Sequence, residues 1–85
     1  MAIYKIYFKK SVAKDLAGLP NGDLRKVLKR IEGLATNPRP AGCEKLTGDE
    51  RYRLRQGRYR ILYTLDDHIL TVWVVKVAHR KAVYR

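Results

Sequence analysis

The chain opens with alternating apolar and polar positions and then changes to a helical spacing. The alternation over residues 2–8 predicts a β-strand. Ser11 stands before three apolar residues at helical spacing, which predicts a short helix with Ser11 as its N-cap. These apolar residues are Val12, Leu16 and Leu19. Residues 20–22 (Pro-Asn-Gly) are expected to end this helix.

A second, longer helix is predicted after this break, beginning at Asn21 or Asp23. Its apolar stripe follows the 3.6-residue period and comprises Leu24, Val27, Leu28, Ile31, Leu34 and Ala35. The opposite side of the helix is basic, with Arg25, Lys26, Lys29 and Arg30. Pro38 and Pro40 exclude helix from residues 37–42, so this segment is predicted to be a loop.

Three strands are predicted in the second half of the chain, over residues 51–56, 58–65 and 68–77. Short turns at Gln56–Gly57 and Asp66–Asp67 make these strands an antiparallel meander. The segment Ile69–Val75 is almost wholly apolar, which predicts a central strand covered on both faces.

The order of the elements predicts an α+β fold. An N-terminal strand is followed by a two-helix hairpin and then by an antiparallel three-stranded meander, all forming one sheet. The helical hairpin covers one face of this sheet, and the other face is left to carry arginines. Residues 1–85 are expected to form a single domain.

Charge is the first feature that points to a function. Nineteen Lys and Arg face eight Asp and Glu, which gives a net charge of +11. Such an excess on a small domain suits a polyanionic partner, usually nucleic acid. No apolar run approaches the roughly 20 residues of a membrane span, and no secretory signal is visible, so a soluble cytoplasmic protein is expected. Cys43, the only cysteine, is interpreted as an inert loop thiol.

Five arginines fall within ten residues with no acid between them: Arg51, Arg53, Arg55, Arg58 and Arg60. The two-residue period of a strand places the first three on one face and the last two on one face. A hairpin at Gly57 then brings the two sets together as an exposed, self-repelling patch suited to phosphate. Alternatively, the patch is a solvated sheet face. Because the arginines are expected to be exposed, removing them should leave the fold intact.

The basic tail that leaves the last strand offers further candidate chemistry. His79 can move protons near neutral pH, and Tyr84 can stack on a base. Packing roles for both residues are equally consistent with the sequence. No metal-ligand spacing, glycine-rich phosphate loop or Ser/His/Asp pattern is present, so no cofactor and no metal are expected.

Several segments together resemble the RelE branch of the RelE/ParE superfamily of toxins. These segments are Lys45-Leu46-Thr47-Gly48, Tyr52-Arg53-Leu54-Arg55, Arg58-Tyr59-Arg60-Ile61-Leu62-Tyr63 and His79-Arg80-Lys81-Ala82-Val83-Tyr84. The resemblance covers essentially the whole chain. It implies a compact RNase fold that cuts mRNA in the ribosomal A site. The cut would use attack by a 2′-hydroxyl, without metal, and give a 2′,3′-cyclic phosphate.

Carried over by position, the resemblance implies that Arg60 and Arg80 bind the scissile phosphate and that Tyr84 stacks or takes part in catalysis. Other basic residues are expected to bind RNA: Arg51, Arg53, Arg55, Arg58 and Lys81. Arg53 and Arg55 occupy positions that hold lysines in the best-known member. Arginine retains its proton and is a poor general base. Two candidates for the base remain, Glu44, as in YoeB-like relatives, and His79.

The resemblance also implies partners. An acidic, RelB-like antitoxin is expected to fold against the toxin and silence it, and the ribosome and mRNA are the expected targets. The free toxin is expected to be a monomer that forms larger assemblies with its antitoxin, away from any membrane. Two alternative functions stay open. One is inhibition of gyrase, as in ParE-like members, and the other is a non-catalytic RNA-binding module.

Overall fold

The computed structural model describes residues 3–46, 48 and 50–79. Within these residues it has five strands and two α-helices. The N-terminal half contains β1 (Lys5–Phe8), α1 (Lys10–Ala17) and α2 (Asn21–Glu32), which continues into a 3-10 turn (Gly33–Ala35). The C-terminal half contains β2 (Glu44–Lys45), β3 (Arg51–Gln56), β4 (Tyr59–Asp66) and β5 (Thr71–His79). The predicted strand, helical hairpin and meander are therefore confirmed.

The strands form one mixed sheet in the order β1-β5-β4-β3-β2. The meander β3-β4-β5 is antiparallel, as predicted, and β2 adds a short antiparallel edge next to β3. By contrast, β1 runs parallel to β5, with Lys5 opposite Thr71 and Phe8 opposite Val74. A parallel pair needs a long connection, and here the two helices and the β2–β4 region lie between its strands.

The start of α2 at Asn21 agrees with the sequence interpretation, whereas the cap of α1 differs from it. Helix α1 begins at Lys10 after Lys9, without a side-chain cap, so the prediction that Ser11 caps this helix is wrong. Ser11 instead lies in the first turn and is exposed. Helix α2 begins at Asn21 after Pro20, also without a side-chain cap. The backbone N–H of Leu24 donates to the Pro20 carbonyl and closes the first turn of α2.

The core lies between the helices and one face of the sheet, which we call the inner face. Its members from the helices and the 3-10 turn are Val12, Val27, Ile31 and Leu34. Its members from the sheet are Leu54, Tyr59, Ile61, Tyr63, Val72, Val74 and Val77. The opposite face, which we call the outer face, carries Arg53 and Arg55, because both alternate with the buried Leu54 on β3.

Strand β5 is central, between β1 and β4, but it is not covered on both faces as predicted. Trp73 is 45% exposed on the outer face. The strand also begins later than expected, at Thr71, because residues 67–70 form a turn. The Asp66 carboxylate stabilises this turn by accepting the backbone N–H groups of His68 and Ile69.

A register shift interrupts the pairing of β4 with β5. Leu62 lies opposite Lys76, but the next residue, Tyr63, lies opposite Val74, so β5 has one extra residue, Val75. Such a bulge reverses the alternation of side chains on the strand that contains it. As a result Val74 and Val77, three residues apart, both pack in the core.

Within the part of the chain that the structure covers, no helix has the length and apolar character needed to cross a membrane.

Candidate functional site

The strand register brings a small set of charged side chains together on the outer face. Glu44 on β2 lies opposite Arg53 on β3, and Arg55 on β3 lies opposite Arg60 on β4. Directly opposed residues share a face, with Cβ atoms about 5 Å apart. Three guanidinium groups and one carboxylate therefore converge across three neighbouring strands.

These residues line a cleft of about 260 Å³ together with Gly42, which ends the loop after α2. Gly42 has a φ of +89°, a conformation that favours glycine, and it lacks a side chain that would narrow the rim. The cleft is thus open on the side of Gly42 and lined by guanidinium groups elsewhere. A planar guanidinium holds phosphate oxygens through paired N–H donors, so the lining is suited to an anionic group.

Glu44 is the only acid among the described residues that line the cleft, and its carboxylate accepts a hydrogen bond from Arg53 at 2.7 Å. The Glu44 side chain is largely exposed, so this ion pair adds little to stability. Its effect is geometric, because it fixes the carboxylate at the rim and orients the Arg53 guanidinium. A basic oxygen is therefore held next to the cationic lining.

Arg60 differs from the other arginines because it is only 2% exposed. It is paired on both sides, with Arg55 on β3 and Ala78 on β5, whereas Arg55 lies beyond the two residues of β3 that β2 covers and is exposed. The prediction that Arg60 is exposed is therefore wrong, and exposure no longer supports the expectation that its removal leaves the fold intact. The apolar part of its side chain is packed inside the protein and contributes to the fold. A charge in such a partly desolvated position acts more strongly on a bound anion than one in open water.

The remaining arginines of the predicted patch are placed elsewhere. Arg58 lies in the turn between β3 and β4 and lines a separate concavity with Lys26, Gln56 and Tyr59. Arg51 shares the outer face but lies opposite Thr64, toward the other end of β3. The two predicted arginine sets therefore meet only through Arg53, Arg55 and Arg60.

His79 is not brought to this cleft. It pairs with Tyr59, and the two rings meet edge to face with centroids 5.7 Å apart and an interplanar angle of 84°. Tyr59 belongs to the core and donates to Asp23 on α2, so this pair lies on the inner face. The cleft and His79 are thus on opposite faces of the sheet. The predicted residues Arg80, Lys81 and Tyr84 lie outside the described residues.

A network that the sequence interpretation missed fixes the loop before Glu44. Arg39 binds the Asp67 carboxylate with two hydrogen bonds, of 2.7 and 3.3 Å, and it also donates to the Tyr52 hydroxyl. Tyr4 donates to the same carboxylate at 2.6 Å. The sequence offers no signal for these contacts, because the partners are far apart along the chain.

The loop is held at a second point by Tyr63. Its hydroxyl lies 2.8 Å from the Pro38 carbonyl, to which it donates, and 3.1 Å from the Cys43 Sγ. Burial and the contact with Cys43 raise the pKa of Tyr63 above its ordinary value, so the hydroxyl keeps its proton and remains a donor. Gly42 and Glu44 flank Cys43, and this contact therefore fixes the segment that forms the rim of the cleft.

The Arg39–Asp67 pair makes stability depend on pH at the acidic end. The hydrogen bonds from Arg39 and Tyr4 lower the pKa of Asp67 from 3.8 to about 2. A lowered pKa means that the contribution is complete above the unfolded value and is lost as the pH falls from about 4 to about 2. We expect Asp67→Asn to remove this part of the pH dependence. Urea unfolding of the wild type and the variant at several pH values in that range checks this prediction. If the free energy of unfolding of the variant fell with pH as steeply as that of the wild type, the role of the pair would be contradicted.

Among the residues that the structure describes, no group of three or more His, Cys, Asp or Glu side chains is arranged to hold a metal ion. The described residues of the cleft combine three guanidinium groups, which are suited to an anion, with one carboxylate, which can accept a proton.

The fold and the cleft together define the class of protein, a small basic α+β domain with an arginine-lined cleft on the outer face of its sheet. Comparison with known proteins places this class. Residues 6–84 match the family model described as the ParE toxin of a type II toxin–antitoxin system. The chain is 36% identical over 88 residues to a Methanocaldococcus jannaschii protein named as a RelE1 toxin, with 96% of each chain covered.

Two further relatives come from Mycobacterium tuberculosis. Toxin RelG is 34% identical over 86 residues, covering 96% of this chain and 97% of RelG. A chain of the RelBE2 toxin–antitoxin complex has the same fold, with a TM-score of 0.84, 31% identity and 94% of both chains covered. The chain therefore belongs to the RelE/ParE family of type II toxin–antitoxin toxins, as a RelE-type member.

Proposed function

We propose that the chain is a ribosome-dependent endoribonuclease that cuts mRNA in the A site and so stops translation. The observation that carries this proposal is the cleft in which Glu44 stands beside three guanidinium groups. Phosphodiester cleavage by a 2′-hydroxyl needs two things at one place, a base for the hydroxyl proton and positive charge for the phosphorane. The cleft offers both.

The proposed reaction assigns a role to each cleft residue. Arg55 and Arg60 bind the non-bridging oxygens of the scissile phosphate, and Arg53 orients Glu44. The Glu44 carboxylate takes the proton of the 2′-hydroxyl while its oxygen attacks phosphorus. The bond from phosphorus to the 5′-oxygen breaks, this oxygen takes a proton from a solvent water as it leaves, and Glu44 returns its proton to solvent. The products are a 2′,3′-cyclic phosphate and a 5′-hydroxyl end.

The tail completes this assignment by resemblance. Arg80 is proposed as a further phosphate ligand and Tyr84 as the side chain that stacks on a base, as in RelE-type relatives. Lys81 adds positive charge next to them. His79, which packs on Tyr59 on the inner face, is the weaker candidate for the base.

The ribosome is proposed to supply what the cleft lacks. Guanidinium groups hold phosphate but exchange protons poorly, so one carboxylate provides the proton transfer. Alignment of the 2′-hydroxyl with the phosphate can lower the barrier by several kcal/mol, about 7 or more in favourable systems. Messenger RNA held in the A site is such an aligned substrate, whereas free RNA is not.

An acidic antitoxin is the proposed partner. The chain carries a net charge of +11, and the RelBE2 relative was crystallised as a toxin–antitoxin complex. We propose that a mobile acidic segment of the antitoxin folds on this chain in the cytoplasm, and that the toxin released from it is a monomer. Expression of the chain alone should arrest growth, and co-expression of an acidic neighbour-encoded protein should restore it. Harmless expression of the chain alone would contradict this.

Inhibition of gyrase is the second candidate function, because the family model that matches is described as a ParE toxin. The two functions are separated by adding the purified chain to ribosomes programmed with mRNA and, in parallel, to gyrase acting on relaxed plasmid. We expect shortened mRNA and unaffected supercoiling. Intact mRNA with blocked supercoiling would assign the chain to the second function. If mRNA stayed intact and supercoiling was unaffected, a simple RNA-binding module would remain as the function.

A further inference from the structure

Two exposed aromatic side chains stand side by side on the outer face, away from the cleft. Tyr7 on β1 lies opposite Trp73 on β5, and they are 43% and 45% exposed. Their rings are stacked, with centroids 5.0 Å apart and planes at 26°. This separation is about one strand spacing, so each ring stands over its own strand. Such a pair is unusual on a sheet face that only meets water.

The aromatic pair lies diagonally across the outer face from the cleft. Trp73 lies opposite Thr64 on β4, and Thr64 lies opposite Arg51 on β3. Arg53, in the cleft lining, is two residues further along β3. Two strand spacings across and two residues along give a separation of about 12 Å between the backbones of Trp73 and Arg53. A strand of a few nucleotides covers such a distance.

The side of Trp73 that faces away from Tyr7 is bounded by a small residue. Tyr7 covers one face of the indole, and the next residue in the row is Thr64, which leaves room above β4. The next strand then carries Arg51. The backbones of β5 and β3 are about 10 Å apart, and a base is about 3.4 Å thick. The strand spacing over Thr64 is therefore wide enough for one planar base stacked on the indole, between Trp73 and Arg51.

We propose that Trp73, supported by Tyr7, is a stacking site for a nucleobase of the RNA strand whose phosphate occupies the cleft. This inference rests on the proposed function, since it extends the same substrate across the sheet. Stacking on an aromatic side chain is tolerant of sequence, because every base has a flat face. The site would thus set the path of the strand without selecting a codon.

The charges around the pair favour a polyanion. Lys5 precedes Tyr7 by two residues and shares its face, and Lys76 on β5 lies in the same row across the sheet as Leu62 and the cleft residue Arg53. The acid nearest in this region, Asp66, has its carboxylate engaged with the turn that begins β5. A nucleotide strand that leaves the cleft therefore meets further positive charge on its way to Trp73.

The size of the apolar patch favours a base over a protein surface. Two aromatic side chains less than half exposed offer about 200 Å² of surface. Ile3 and Ile69 are also exposed, but even with both of them added the total stays well below the roughly 800 Å² that each partner of a stable protein complex buries. One base needs no more than the indole face.

The inference has a direct spectroscopic test, because Trp73 is the only tryptophan of the chain. The free chain is titrated with a short 2′-O-methylated oligoribonucleotide, which cannot be cut, and with an abasic analogue that has the same phosphates. We expect the first to quench the fluorescence of Trp73 and the second to bind with little quenching. Equal quenching by both would overturn the proposal, because phosphate binding alone would then explain the signal.

A matched pair of variants makes the test independent of fluorescence. Trp73→Leu should weaken binding of the same labelled oligonucleotide about 10-fold. Phe8→Leu changes an aromatic side chain of similar exposure on the neighbouring strand β1 but on the inner face, and it should leave binding unchanged. Unchanged binding by Trp73→Leu would overturn the proposal. The proposal would also be overturned if Trp73→Leu bound RNA normally and lost only its binding to the acidic antitoxin. That result would assign the patch to protein docking.

The outcome also separates this inference from the proposed function. If the wild-type chain cuts ribosome-bound mRNA and Trp73→Leu binds RNA normally, the stacking site is wrong and the endoribonuclease assignment stands. If the wild-type chain neither binds nor cuts RNA, both are wrong.

Discussion

Replacing Arg55 by alanine is expected to slow the cleavage of ribosome-bound mRNA by about 100-fold. Enzymes that lose one preorganised donor to a developing negative charge slow by a similar factor. Arg55 lines the cleft and is exposed, so its removal deletes a phosphate ligand without opening a cavity. The free energy of unfolding should stay within about 0.5 kcal/mol of the wild-type value. Single-turnover cleavage and urea unfolding measure the two quantities.

The matched control is Arg25→Ala, which removes the same charge from an exposed position on α2. It should retain nearly full cleavage at moderate salt, because Arg25 does not line the cleft. Equal losses in the two variants would show that overall charge, and not the cleft, governs activity.

Arg60 requires a different pair of variants because it is buried. Arg60→Ala removes both the charge and the packed stem, and we expect it to lose cleavage and also about 2 kcal/mol of stability. Arg60→Met keeps an unbranched apolar stem and removes only the charge. It should lose cleavage to the same extent while staying close to wild-type stability. Full cleavage by Arg60→Met would contradict a phosphate-binding role.

The substitution Glu44→Gln is expected to have the largest effect on catalysis, a fall of about 100-fold to 1000-fold in the cleavage step. The amide keeps the size of the side chain and can still accept a hydrogen bond from Arg53, so the lining of the cleft is preserved. What disappears is the basic oxygen. The acidic limb of the pH–rate profile should therefore be lost in the variant, which a purely structural role for Glu44 would not cause.

Glu50→Gln is the control for this change, because it removes the same charge from an exposed residue just before β3. It should leave the cleavage rate and the pH profile unchanged. If Glu44→Gln cut at the wild-type rate, the carboxylate would serve only to hold Arg53, and the base would have to lie elsewhere.

Much of the cleft was predictable from local periodicity. Arg53 and Arg55 alternate with an apolar residue on a short strand, and this pattern fixes their face whatever the rest of the chain does. The turn at Gly57 then predicted that the following strand pairs antiparallel with this one. The burial of Arg60 was not predictable in this way, since it depends on β4 having a strand on each side.

The position of His79 could not be predicted from alternation, because one extra residue earlier in β5 changes which face it is on. Counting in steps of two from Trp73, which is on the outer face, would place His79 beside the arginines. The extra residue Val75 in β5 reverses the phase, so His79 emerges on the inner face against Tyr59. No local pattern in the apolar run signals the bulge, because nearly every residue in it suits either face.

The parallel pairing of β1 with β5 and the short strand β2 also escaped prediction. The pairing joins Lys5 to Thr71 across most of the chain, and periodicity contains no information about such distant partners. Strand β2 has two residues and exists because β3 offers an edge. It nevertheless positions Glu44, so the part of the cleft that supplies the base depended on the tertiary structure.

We propose that this chain cuts mRNA only when the ribosome aligns it. The most direct measurement compares the cleavage rate of one transcript, naked and held in the A site of programmed ribosomes, with ends mapped by primer extension. We expect cuts within the A-site codon and a rate on naked RNA lower by orders of magnitude, because the cleft offers one carboxylate and no second proton-transfer group among the described residues. Comparable rates on both substrates would contradict the claim and would require an efficient acid–base pair in the protein itself.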